Sequence, residues 1–184
     1  MNDLSIDHLI DVAKSATAVG TSILEKEYDA VHHGSKKLDV TEKTSAIDLV
    51  TEIDSNTQIA IVKAIQEHFP DHRLIGEEAG AENIGDPSSP YEWIIDPLDG
   101  TTNFIHGKHS FGTIIGVQKD GILLAGAMHM PLLNQWFFGG KGAGAYFNDD
   151  TVKLRKTGRL QDAILNCNLI HRTKDIDGTL HVTL

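Results

Sequence analysis

Three acidic residues follow short apolar segments, and their positions are typical of a metal site. Glu77 comes shortly after residues 73–75, and Asp96 and Asp99 follow residues 93–95. Because neighbouring strands present the loops at their carboxyl ends to one crevice, we expect the three carboxylates to converge. Carboxylates brought together repel one another, and their pKa values rise unless cations lie among them. Oxygen ligands without thiolates or well-spaced imidazoles favour Mg²⁺ or Mn²⁺ over zinc.

The residues after the second acidic strand offer a place for an anion. Gly100 and Thr101 are positioned to begin a helix whose free N–H groups face a phosphate, which would also bridge the metals. Pro97 fixes the backbone between the two aspartates, so we expect the Leu98 carbonyl to point inward as a further ligand. The alternative is that these acidic residues only stabilise turns at strand ends.

Helical spacing dominates the first part of the chain. Apolar residues at this spacing predict a helix over residues 6–28, with Ser5 as its N-cap. The polar residues 29–45 predict a loop. A second helical pattern follows residues 51–56 and stops at Pro70. The helices that support the site are therefore expected at the amino-terminal end.

Short apolar segments alternate with turns in the rest of the chain. The predicted strands after the acidic segments cover residues 113–117, 122–130, 135–138, 145–147 and 152–154. This pattern predicts an antiparallel meander, and with the helical start it predicts the α+β class, with N-terminal helices packed on a mostly antiparallel sheet. The glycine-rich residues 139–144 lie between aromatic segments, which favours a hairpin turn over a phosphate loop.

Charge and cysteine content restrict the classes of partner. The 184 residues carry a formal net charge of −10, which argues against a general nucleic-acid or anionic-membrane binder. An anionic substrate would need cations beside it. The single cysteine, Cys167, excludes an internal disulfide and fits a reducing compartment, so we expect a cytoplasmic protein. The sequence shows no targeting segment and no apolar run long enough to span a bilayer.

Three motifs together resemble the signatures of the inositol monophosphatase family of metal-dependent, lithium-sensitive phosphatases. They are DLVTEID at residues 48–54, GEE at residues 76–78 and DPLDGTTNF at residues 96–104, in the family's order and approximate spacing. The likeness runs from the first helix to about residue 165. It implies the first half of the layered αβαβα fold of this family.

The resemblance also implies how the acidic residues bind metal. Glu77, Asp96 and the Leu98 carbonyl would hold one Mg²⁺, and Asp96 and Asp99 would hold a second. Complete relatives hold two to three ions, and Mn²⁺ or Ca²⁺ can occupy the sites. Lys43 matches a family lysine near the metals, although a solvated surface lysine is an equal alternative. Glu78 is expected beside the ligands, not among them.

The same resemblance assigns roles around the phosphate. Glu77 and Thr101 would orient the attacking water, and Asp54 would accept a hydrogen bond from the Thr101 hydroxyl. The residues expected to contact the phosphate are Leu98, Asp99, Gly100 and Thr101. The implied partner is a small phosphorylated substrate such as an inositol phosphate, and the implied assembly is a homodimer that binds neither nucleic acid nor membrane.

The chain departs from the family after about residue 165. Complete members continue into a second α/β half, which supplies a further aspartate in a Trp-Asp dipeptide, and neither tryptophan here precedes an aspartate. We therefore expect an inositol monophosphatase-like domain over residues 1–159 and the start of a truncated second half over residues 160–184.

Two functions follow from this departure. One is a Mg²⁺-dependent phosphomonoesterase, in which a metal-activated water attacks the phosphate of a small polyol phosphate. The alternative is a catalytically incompetent, truncated metal-binding or dimerisation module.

Overall fold

The computed structural model describes residues 4–34, 43–77, 84–154 and 156–162, with the backbone alone for residues 43–51 and 160. The chain divides into two compact units, Met1–Lys153 and Leu154–Leu184. Within the second unit, the described residues form a short 3₁₀ helix at Leu160–Asp162, and Arg159 Nε lies 3.0 Å from Asp162 Oδ2. The domain boundary expected after residue 159 stays a prediction.

Two long helices form the amino-terminal layer. Helix α1 spans Ile6–His32 with Ser5 as its N-cap, and helix α2 spans Lys43–Gln66. The predicted loop over residues 29–45 is therefore wrong at both ends, and residues 35–42 lie outside the described residues. Helix α1 continues past residue 28 because Tyr28 and Val31 are buried in an aromatic cluster. The DLVTEID motif lies within α2, so Asp54 is held by a helix.

A seven-stranded sheet follows, with its strands in chain order. Its strands are β1 Arg73–Gly76, β2 Tyr91–Asp99, β3 Gly112–Lys119, β4 Ile122–Met130, β5 Gln135–Gly140, β6 Gly144–Phe147 and β7 Asp150–Thr151. Strands β1 and β2 are parallel, and every later pair is antiparallel. The predicted meander and the hairpin at the glycine-rich turn are confirmed. The strand predicted at residues 152–154 is wrong, because the chain leaves the sheet there and Leu154 is 92% exposed.

The larger core lies between the two helices and one face of the sheet. Trp93 and Ile95 from β2 and Ile115 and Val117 from β3 point to this face and pack with apolar residues of α1 and α2. Side chains alternate along a strand, so Ile94 points to the opposite face, where it is 45% exposed. The predicted α+β class, with helices on a mostly antiparallel sheet, is confirmed.

A smaller core supports the end of the sheet where the acidic residues lie. It contains Leu24, Tyr28, Val31, Ile53, Leu98, Phe104 and Phe111. Phe104 belongs to the short helix α3, Thr101–Ile105, and the Tyr28 hydroxyl donates to the Gly107 carbonyl at 2.8 Å. Helix α1 thereby fixes both Leu98 and α3. Among the described residues, no helix combines the length and apolar character that a membrane span requires.

The core predicts a loss of stability in mild acid. His72 stacks on Phe69 and Tyr91, its Nδ1 lies 3.0 Å from Trp93 Nε1, and burial lowers its pKa below 6.5. Since an indole N–H only donates, Nδ1 must accept and cannot carry a proton in this arrangement. As pH falls below 6.5, the unfolded chain takes up the proton first, so the free energy of unfolding decreases until pH reaches the folded pKa.

We expect His72→Asn to remove this component, because Asn can accept from Trp93 and does not titrate. Urea denaturation of both proteins from pH 8 down to about pH 5 gives a difference curve in which other titrating groups cancel. His106→Asn at an exposed histidine is the control. A difference curve that stays flat below pH 6.5 would show that His72 does not carry the effect.

Candidate metal and phosphate site

Parallel pairing of β1 and β2 brings the first two acidic residues together. Gly76 pairs with Ile95, so Glu77 and Asp96 follow at neighbouring positions on the two strands. The Glu77 N–H donates to the Ile95 carbonyl at 3.1 Å, which continues the pairing by one residue. The two side chains are joined by a hydrogen bond. The structure therefore brings together two of the three carboxylates that were predicted to converge, those of Glu77 and Asp96.

A β-bulge separates Asp96 from Asp99. Asp96 pairs with Ile114 and Asp99 pairs with Gly112, so Pro97 and Leu98 together oppose the single residue Thr113. Such an extra residue bends a strand and redirects its side chains. The Leu98 side chain is buried, and its carbonyl accepts a hydrogen bond from the Thr101 hydroxyl at 3.1 Å. Asp99 ends β2 and is exposed.

A left-handed residue turns the chain from β2 into α3. Gly100 has φ +83° and is the N-cap of α3, and its carbonyl accepts from the N–H groups of Asn103 and Phe104 at 2.8 and 3.0 Å. Glycine takes this conformation without a steric penalty. Thr101 is the first residue of α3, as predicted. The roles of Gly100 and Thr101 in phosphate binding stay predictions.

The other predicted site residues belong to the helix side. Asp54 lies on α2 and is 6% exposed. The Thr101 hydroxyl donates to Leu98, so the implied hydrogen bond from Thr101 to Asp54 stays a prediction. Lys43 is the first residue of α2, and its side chain lies outside the described residues. Glu78 also lies outside them.

The environment of Asp96 disfavours its charged form. Burial, the charges of Glu77 and Asp99 and the hydrogen bond to Glu77 together raise the pKa of Asp96 to about 7, against a smaller opposing effect of the Leu98 N–H. Asp96 also borders a groove of about 900 Å³ that is lined mainly by apolar residues, including Ile94, Ile114 and Leu123. The carboxyl group is therefore partly removed from water and close to other negative charge.

These residues fit a divalent cation by their chemistry. In the described part of the chain, no group of three or more acidic, histidine or cysteine side chains lies close enough to bind a metal as positioned. Burial and the charges of Glu77 and Asp99 around Asp96 nevertheless favour added positive charge at this place. A cation would supply that charge, and Glu77, Asp96, Asp99 and the Leu98 carbonyl are oxygen donors of the type that Mg²⁺ prefers.

Two buried polar residues behind this site were missed by sequence reasoning. Thr113 on β3 donates its hydroxyl to the Pro97 carbonyl at 2.8 Å. Gln58 on α2 is 3% exposed and contacts the backbone of Gly76, where an added Cβ would overlap its side-chain amide. Neither belongs to a motif, and Thr113 lies in an apolar strand pattern. Only the tertiary contacts identify them.

Comparison with known proteins identifies the family. The family model described as the inositol monophosphatase family matches residues 5–181. The chain therefore belongs to the inositol monophosphatase family, as its three motifs predicted. The match continues to residue 181, so the expected end of the likeness at about residue 165 is wrong.

Relatives and solved structures agree with this assignment. A fructose-1,6-bisphosphatase/inositol-1-monophosphatase of Aquifex aeolicus is 36% identical over 154 residues, which is 84% of this chain and 55% of that protein. Inositol monophosphatase 1 of Solanum lycopersicum is 34% identical over 162 residues, 88% of this chain and 57% of that protein. The crystal structure of extragenic suppressor protein suhB from Bartonella henselae superposes with a TM-score of 0.68 at 28% identity, covering 84% of this chain and 57% of that chain. The chain spans about half the length of the curated relatives it matches.

Proposed function

We propose that the protein is a Mg²⁺-dependent phosphomonoesterase that acts on a small polyol phosphate such as an inositol phosphate. The observation that carries the proposal is the crowding of Asp96 by Glu77 and Asp99, which raises the pKa of Asp96 to about 7 within a chain of this family. The relatives named above support the phosphatase class, since their names include inositol monophosphatase and fructose-1,6-bisphosphatase.

The proposal assigns the cation to donors on β1 and β2. Glu77, Asp96 and the Leu98 carbonyl would hold one Mg²⁺, and Asp96 and Asp99 would contribute to a second. When bound, Mg²⁺ lowers the pKa of a coordinated water and stabilises the charge of the leaving oxygen. Asp96 belongs to both sets of donors, so its ionised carboxylate would bind both cations.

The remaining residues orient the reacting groups. The Glu77 carboxylate and the Thr101 hydroxyl would direct the water toward phosphorus, and Asp54 would hold Thr101 from α2. The N–H groups of Gly100 and Thr101 would donate to phosphate oxygens, because the first N–H groups of a helix have no partner within it. Leu98 and Asp99 complete the proposed phosphate contacts. The homodimer and the cytoplasmic location stay predictions.

Calorimetry with Mg²⁺, together with phosphate release from inositol 1-phosphate with and without Mg²⁺, tests the proposal. We expect Mg²⁺ binding with one dominant site, because the first set of donors has more members than the second. We also expect phosphate release that requires Mg²⁺. Asp96→Asn should weaken both Mg²⁺ binding and phosphate release, and Asp149→Asn, at an exposed residue between β6 and β7, is the control for the change of charge.

The two measurements separate the proposed enzyme from its alternative. Binding of Mg²⁺ without any phosphate release would favour a metal-binding module over a phosphatase. Failure to bind Mg²⁺, Mn²⁺ or Ca²⁺ while Asp96 is intact would contradict the phosphatase and the metal-binding module, and would leave the dimerisation module.

A further inference from the structure

We propose that Thr113 is a positioning residue for the metal site. Its buried hydroxyl fixes the β2 bulge, defined here as residues 96–99, which carries Asp96, the Leu98 carbonyl and Asp99. The inference rests on the proposed function, because it concerns the donors assigned to the cation. It adds a residue from β3, which lies behind those donors and does not touch the ion.

The hydrogen bond of Thr113 gives a partner to the Pro97 carbonyl, which lies within the bulge. Pro97 and Leu98 oppose one residue of β3, and an extra residue in a bulge does not join the regular strand pairing. Pro97 is buried, and a buried carbonyl without a donor costs about 1–3 kcal/mol. Thr113 is 0% exposed, and its Oγ1 lies 2.8 Å from the Pro97 oxygen. The hydroxyl therefore supplies a donor to a buried carbonyl of the bulge.

Helix α1 keeps the Thr113 side chain in place from the other side. An added Cβ at Gly20 would lie 2.9 Å from Thr113 Oγ1 and 3.1 Å from Thr113 Cγ2. Glycine at this position lets the helix approach the strand closely, and a β-branched side chain has few rotamers available. The hydroxyl of Thr113 thus has little freedom to move away from Pro97. A contact from α1 through Thr113 to the bulge connects the back of the sheet to the site.

Loss of this hydrogen bond is expected to reach the metal donors directly. Pro97 lies between Asp96 and Leu98, so a displaced Pro97 carbonyl shifts the spacing of the Asp96 carboxylate and the Leu98 carbonyl. Groups that orient metal ligands typically change metal affinity by about 10–100-fold when they are removed. A threonine with only a packing role would lack this effect.

The same helix layer offers a natural control. Thr17 on α1 is also 0% exposed, and within the described residues its hydroxyl has no hydrogen-bond partner. Thr17→Val and Thr113→Val make the same chemical change at equal burial. Only the second removes a hydrogen bond to the bulge.

The experiment measures Mn²⁺ affinity by electron paramagnetic resonance and amide hydrogen exchange of residues 98–101 in the metal-free protein. For Thr113→Val we expect the Mn²⁺ dissociation constant to rise about 10–100-fold and the bulge amides to exchange faster. Thr113→Ser should stay within about threefold of the wild type, because it keeps the donor. Thr17→Val should leave both measurements unchanged.

A second pair of variants guards against a folding defect in Thr113→Val. Thr113→Ser and Thr113→Ala differ only in the hydroxyl, so a weaker Mn²⁺ affinity and faster bulge exchange in the alanine variant support the proposal. Equal values for these two variants, or wild-type values for Thr113→Val, would overturn it. If the wild type itself fails to bind Mn²⁺, the proposed function is wrong, and the hydrogen exchange of the bulge alone then decides whether Thr113 fixes it.

Discussion

Replacement of Asp96 by asparagine is expected to weaken Mg²⁺ binding by about a hundredfold or more while it stabilises the metal-free protein at neutral pH. The first effect exceeds the loss expected from removing a residue that only orients a ligand, because the substitution removes a charge that both proposed sites share. The second effect has the opposite sign, because asparagine carries no charge beside Glu77 and Asp99.

The stability effect depends on pH in a defined direction. The pKa of Asp96 is raised from 3.8 in the unfolded chain to about 7 in the folded protein. Between these values the folded state binds more protons than the unfolded chain. The contribution of protonated Asp96 to the free energy of unfolding is therefore fully present below pH 3.8 and decreases as pH rises to about 7. Asp96 is only half-buried, and solvent screening reduces the full linkage energy to about 2 kcal/mol. Asp96→Asn should remove this decrease.

Calorimetric titration with Mg²⁺ and urea denaturation at pH 5 and 7.5 measure the two effects. Asp149→Asn serves again as the charge control, and it should change neither quantity, since the exposed Asp149 lies near the other edge of the sheet. A variant that binds Mg²⁺ as tightly as the wild type would remove Asp96 from the ligand set. A variant that is less stable than the wild type at pH 7.5 would show that the crowding of carboxylates does not destabilise the metal-free site.

The elements that carry the site follow local rules, and the sequence predicts them well. Strand β2 follows from an apolar run before Asp96, and α3 begins where the Gly-Thr-Thr segment predicted. The meander follows from alternating apolar segments and turns. Each of these features depends on residues within one element, so local spacing is enough to find it.

The features that position the donors depend on contacts between distant segments. The hydroxyl of Thr113 reaches a carbonyl 16 positions earlier in the chain. Helix α1 extends to His32 because Tyr28 packs against Phe104 and Phe111, which are far away in sequence. A threonine in a strand and a tyrosine at the end of the predicted helix give no local sign of these partners. The motifs therefore predict which residues would bind the proposed cation and phosphate, and contacts between distant segments determine how those residues are positioned.

Replacement of Gly76 by alanine is expected to lower the free energy of unfolding by about 2 kcal/mol. In a protein that already lacks the Gln58 side chain, the same replacement is expected to cost much less. An alanine Cβ would overlap the side-chain amide of Gln58. Gln58 is 3% exposed, so its amide cannot move into solvent without a shift of β1 or α2. Because Glu77 follows Gly76 directly, the same shift should separate Glu77 from Asp96 and weaken Mg²⁺ binding.

A double-mutant cycle isolates this contact. Urea denaturation of the wild type, Gly76→Ala, Gln58→Ala and the double variant should give a combined loss that is smaller than the sum of the single losses by about 1–2 kcal/mol. Gly116→Ala is the matched control, since a Cβ there meets only Leu123 Cδ1 at 3.5 Å, an ordinary contact. Strictly additive losses would mean that Gln58 does not limit the space at Gly76. A subadditive loss of stability with recovered Mg²⁺ affinity in the double variant would show that the absence of a side chain at residue 76 lets α2 support the strand end that carries Glu77.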